Sequence, residues 1–90
     1  MTRVALFFVS RGDYAHLRSI SADGSAMPAS YGAFKKGFRE RQDHEKHEGR
    51  LPVKVKVNPS KLLAWCDSRG CVVDAKARAA YAATHLGLSK

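Results

Sequence analysis

Eight cationic side chains fall within 22 positions, and seven of them form the candidate set: Lys35, Lys36, Arg39, Arg41, Arg50, Lys54 and Lys56. Charges of one sign, three or four apart on a helix and two apart on a strand, can gather into one face. Such a face binds phosphate by releasing counterions, and it needs no base recognition to do so. Residues 35–61 hold nine basic and four acidic side chains, and the rest of the chain is closer to balance. The electrostatic footprint is therefore expected in the middle of the chain, with Lys61 beside it. These residues point to an anionic partner, nucleic acid first.

Other groupings carry weaker chemistry. His44 and His47 stand three apart, and with Cys66 and Cys71 they supply two nitrogens and two sulfurs, a set zinc accepts. Cys66 sits in an apolar segment and the histidines in a charged run, so the expectation is surface histidines, structural thiols, no metal and no cofactor. Cys71 has no identifiable base near it, and a nucleophile without an orienting partner is a poor catalyst. No glycine-rich phosphate loop or buried carboxylate pair is present, so no catalytic residue is assigned and the protein is expected not to be an enzyme. Arg11-Gly12-Asp13 reads as a turn. Lys61–Arg69, Gly70 and Asp74–Leu86 have helix-turn-helix spacing. Lys76, however, stands where that motif packs an apolar side chain, and only Lys76 and Arg78 reach out near the start of the second helix. A plain helical hairpin on the sheet is the preferred reading.

The elements that must place these groups are mostly explicit. Val4–Val9 is a continuous apolar run suited to a strand. The segment from Tyr14 to Ser21 fits two descriptions: a short helix behind Asp13 presenting Tyr14, Leu17 and Ile20, or, slightly preferred, the second arm of a hairpin closed by Ala22-Asp23-Gly24-Ser25. Residues 22–30 form a loop. Ser30 caps a helix from Tyr31 to about His47, with Tyr31, Phe34 and Phe38 as its apolar stripe. After Phe38 the stripe stops, and residues 39–48 carry no apolar side chain. Gly49 and Pro52 end the helix. Val53, Val55 and Val57 alternate with Lys54 and Lys56, predicting a strand over Pro52–Val57 with one buried and one wet face. Asn58 caps the next helix, Pro59 takes its first position, and Leu62, Leu63, Trp65 and Cys66 face inward. Gly70 stops it. Asp74 caps a last helix over 75–86, with Ala77, Ala80, Tyr81 and Thr84 on one side and Gly87 at its end.

The ordered run Val53-Lys54-Val55-Lys56-Val57-Asn58-Pro59-Ser60-Lys61-Leu62-Leu63-Ala64-Trp65-Cys66, then Arg69-Gly70, then Ala77-Arg78-Ala79-Ala80-Tyr81-Ala82, resembles the C-terminal half of small uncharacterised bacterial proteins. The helix opening at Tyr31 fits the same pattern. This resemblance implies a bacterial, cytosolic, compact protein and attaches no activity.

Ninety residues make one domain, 1–90. The formal charge is +8, and 13 of the hydrophobic residues are alanine. The core is therefore small, and burial in a homodimer would be unsurprising. Two cysteines make no disulfide framework, and no apolar run approaches a membrane span. The expected fold is α+β: a two- or three-stranded sheet packed on a long helix and a C-terminal helical hairpin. The expected protein is a cytoplasmic binder of nucleic acid, with a protein–protein adaptor as the alternative and no membrane or small-molecule partner.

Overall fold

The computed structural model describes residues 2–88, with side chains through residue 86. It is α+β, with two strands and four α-helices in the order β1 (Arg3–Phe8), α1 (Arg11–Ile20), α2 (Tyr31–His47), β2 (Leu51–Lys56), α3 (Pro59–Arg69) and α4 (Ala75–Leu88). A single 3-10 turn, Gly24–Ala26, lies between α1 and α2.

The strands pair in parallel, Arg3 opposite Leu51 and Phe8 opposite Lys56. Parallel neighbours need a crossover, and α1 and α2 supply it. The hairpin expected over Ala15–Ser21 is thus corrected to a helix. Turn chemistry at Ala22-Asp23-Gly24-Ser25 suited a hairpin, but the spacing that governs is Tyr14 and Leu17, both buried on one helical side. Asp13 lies in the first turn, where its carboxylate accepts a hydrogen bond from the Ser10 hydroxyl at 3.0 Å. The helix starts at Arg11, so Arg11-Gly12-Asp13 is its first turn.

Helix α2 runs as the caps dictate. Ser30 Oγ accepts from the Ala33 N–H at 3.1 Å, and Gly49 beyond its end takes φ 78°, which L side chains avoid. In α3, Asn58 Oδ1 accepts from the Ser60 and Lys61 amides at 2.9 and 3.2 Å. Gly70 closes that helix in the left-handed region at φ 67°. Asp74 Oδ1 takes the Ala77 amide at 2.8 Å and starts α4. That last helix does not stop at Gly87 but continues to Leu88.

Helix α2 covers the sheet face that carries Phe8, whose ring lies 4.9 Å from that of Phe38. Helix α4 packs along β1, with the Arg78 guanidinium 5.3 Å from the Phe7 ring. Phe34 is 5.9 Å from both Phe7 and Phe8. Successive strand residues point to opposite faces, so a ring equidistant from both stands beside the strand's edge. The main core joins Val9, Tyr14, Leu17, Phe34, Val57, Leu62, Cys66, Val73 and Tyr81. Tyr14 and Tyr31 discharge their hydroxyls onto the Pro28 and Val9 carbonyls at 2.6 and 2.7 Å. Burial pushes the Tyr14 phenol up, with Arg18 and Arg78 pulling the other way.

The inner side of α4 differs from expectation. Ala77, Arg78, Tyr81 and Ala82 are buried, while Ala80 and Thr84 are exposed.

Candidate functional site: the α2–β2 cations and the buried arginine

Strand β2 shows why two of the cations stand where they do. Leu51 N donates to Thr2 O at 2.8 Å and Val57 N to Phe8 O at 2.7 Å. In a parallel pair alternate residues turn both backbone groups toward the partner, so Pro52, Lys54 and Lys56 turn theirs to the outer edge. The missing N–H of Pro52 costs nothing there, and two lysines guard the edge against a further strand. Their face is not the bare wet face expected. Lys54 Nζ lies 4.4 Å from the Phe8 ring and 5.9 Å from the Phe38 ring, at the margin of the helix that covers it. Both lysines remain exposed.

Helix α2 divides its own cations. At about 100° per residue, Lys35, Arg39 and Lys36 fall within an arc of about 100°. Arg41 lies at least about 120° from each of them, on the Phe34 and Phe38 side. Lys36, Arg39 and Arg41 are exposed and Lys35 is half-buried. Arg50 departs from the others. Its Nε donates to Glu45 Oε1 in an ion pair, which holds the Glu45 carboxyl below its usual range and raises Arg50. Its charge is neutralised locally. Of the seven cations, Lys35, Lys36, Arg39, Lys54 and Lys56 stand on two elements in contact, α2 and β2, and make no ion pair among the described residues.

Arg78, read from the sequence as a reaching donor, is 4% exposed. Nη1 and Nη2 donate to the two Asp23 carboxylate oxygens at 2.9 and 2.8 Å, and Nη1 also reaches Ser21 Oγ at 3.2 Å. The hydrogen bond from Arg78 holds the Asp23 carboxyl below its usual range. Nε is buried with no partner. The fork fastens the loop after α1 to α4, and it removes Arg78 from any base-reading role in a helix-turn-helix. Asp23 alone in a turn gave no hint of this pair, 55 residues apart. Nearby, Gly24 fits because a Cβ there would run into the Arg18 carbonyl oxygen, and the Arg18 Nε donates to the Gly24 carbonyl at 3.2 Å.

His44 and His47 are exposed while Cys66 is buried. No three His, Cys, Asp or Glu side chains among the described residues converge on a metal-sized centre. Burial first, and then the hydrogen bond with Cys71, push the Cys66 thiol up to about 11. Cys71 is free and exposed. A thiol-specific colorimetric reagent at pH 8 should therefore label one cysteine per chain rapidly in the native protein. The second should appear only in denaturant. Two fast thiols would contradict the burial of Cys66.

No helix among the described residues is long and apolar enough to cross a membrane. Comparison with protein-family models, curated proteins and solved structures gives no match. The functional reading accordingly rests on geometry and charge.

Proposed function

We propose that this protein is a small, non-catalytic binder of nucleic acid, held through phosphate contacts from Lys35, Lys36, Arg39, Lys54 and Lys56. The observation that supports it is the set of unpaired cations on α2 and β2, two elements packed together, in a chain of net charge +8. Arg50 is left out because Glu45 occupies it, and Arg41 because it stands on another side of the helix. Lysine-rich contacts of this kind neutralise phosphate and carry little sequence information.

Five phosphate contacts imply that affinity for duplex DNA falls about 500-fold between ~50 and ~200 mM salt. The charge-reversed Lys35→Glu/Lys36→Glu protein should lose retention in a gel-shift series over duplex DNA, single-stranded DNA and RNA. A flat salt response, or unchanged retention by the double variant, rejects the reading.

A second reading, a protein–protein adaptor or homodimer, draws on the distal half of α2. Every residue from Arg39 to Glu48 is exposed or half-buried there. Light scattering that reports a dimer, together with nucleic-acid binding indifferent to the double variant, favours it.

A further inference from the structure

One groove uses residues that the polyanion reading leaves aside. It lies between the edge of β1 and α2, has a volume of about 330 Å³, and is lined by Phe7, Pro28, Phe34, Gly37, Phe38 and Arg41. Phe34, Gly37, Phe38 and Arg41 have the i, i+3, i+4, i+7 spacing of one helical face. The apolar stripe of α2 thus ends in an arginine rather than stopping at Phe38.

The chemistry of the lining is narrow. Three aromatic rings and a proline offer apolar walls, and Arg41 is the sole charged side chain among them. Arg41 is exposed and makes no ion pair among the described residues. Its neighbour one turn on, Glu45, is taken by Arg50. An apolar cleft of this size with a polar group at its rim is the usual form of a small-molecule site.

Gly37 is the second observation. It stands in the middle of a 17-residue helix, where glycine is the poorest helix former after proline. No tight contact requires it, since a Cβ at this position would meet nothing within 4 Å. What its bare backbone does is leave the groove open one turn before Arg41.

We propose that this groove binds a small amphipathic carboxylic acid. The ring or short aliphatic body sits against Phe7, Phe34 and Phe38, and the carboxylate takes the Arg41 guanidinium fork. A planar carboxylate matches that fork in bidentate fashion. A phosphate would want further donors, and none of the other five lining side chains has one to give. The volume suits a single ring, so the ligand is a free small acid rather than a peptide terminus.

The test is a heteronuclear NMR titration of the full chain with 3-phenylpropionate, with 3-phenylpropanol, and with N-acetyl-glycyl-phenylalanine. The acid should saturate shifts at Phe34, Gly37, Phe38 and Arg41 and bind at least tenfold tighter than the alcohol. Arg41→Gln, an exposed change, should weaken the acid about tenfold and bring acid and alcohol within twofold. Gly37→Leu should abolish binding by filling the cleft, with circular dichroism checking the helix. Absence of saturable binding, equal binding of acid and alcohol, or an unaffected Arg41→Gln protein overturns the proposal. Binding of the dipeptide alone overturns it in favour of a peptide terminus. Nucleic-acid retention, carried by other residues, can fail or hold independently of these results.

Discussion

Asp23→Asn should cost about 2–3 kcal/mol of stability at pH 7, read as a fall in the urea midpoint with an unchanged slope. The change keeps the side chain's shape and removes the charge that compensates a buried guanidinium. Breaking a buried pair costs about 3–5 kcal/mol when both partners are enclosed. Here the Asp23 side chain is 33% exposed against 5% for Arg78, so the loss falls toward the lower side. The two partners are therefore not equivalent. Arg78→Met replaces the guanidinium with an apolar chain beside Phe7 and leaves a carboxylate that water can reach. It should cost less, about 1–2 kcal/mol, since the charge left behind is on the partner that water already reaches. A parent-like Asp23→Asn, or an Arg78→Met that is the worse of the two, would sink this account.

The same pair predicts a pH dependence. The folded carboxyl of Asp23 is held below its unfolded value, first by the Arg78 hydrogen bond. The stability it contributes is present above about pH 4, where the unfolded chain's Asp is ionised, and is lost as pH falls through the lower folded value. The deficit of Asp23→Asn should accordingly shrink in acid. A deficit that stays constant from pH 7 to pH 2 argues that the damage is steric.

Leu62→Ala should have a comparable or larger effect. Leu62 is fully buried in the cluster that joins α3 to Val9, Leu17 and Val57. Truncating such a side chain costs about 2–5 kcal/mol, because the cavity collapses only in part. A 90-residue domain holds only about 5–13 kcal/mol in total. The melting temperature should drop by about 10 °C or more. Leu63→Ala, at a half-buried neighbouring position, should cost about 1 kcal/mol. Equal losses at the two positions would mean that α3 does not present the face described.

Local chemistry made much of the fold legible. Ser30, Asn58, Gly70 and Asp74 each act on the adjacent backbone, and they bound the elements where the sequence puts them. Tyr14 to Ser21 was not decidable locally. The turn residues Ala22 to Ser25 suit a hairpin, and the parallel pairing of β1 with β2, made by distant residues, excludes one. Arg78 was misjudged for a related reason. A cation at a helix start looks solvent-bound until Asp23, far away in the chain, is brought against it. Among the candidate site residues, type and spacing put Lys35, Lys36 and Arg39 on one arc of α2 and Lys54 and Lys56 on one face of β2. They could not reveal that Glu45 neutralises Arg50, or that Arg41 turns toward Phe7 instead of joining the other cations.

The parallel pairing of Arg3–Phe8 with Leu51–Lys56 also governs how the chain is born. Every partnered residue waits for another made 48 positions later. The apolar run Val4–Val9 therefore emerges during translation before its strand partner, and α4, which lies along it, arrives later still. Closing the sheet therefore depends on contacts between distant residues, which are the slow ones to form. In that interval the run Val4–Val9 is exposed apolar surface of the kind that aggregates unless it is sheltered.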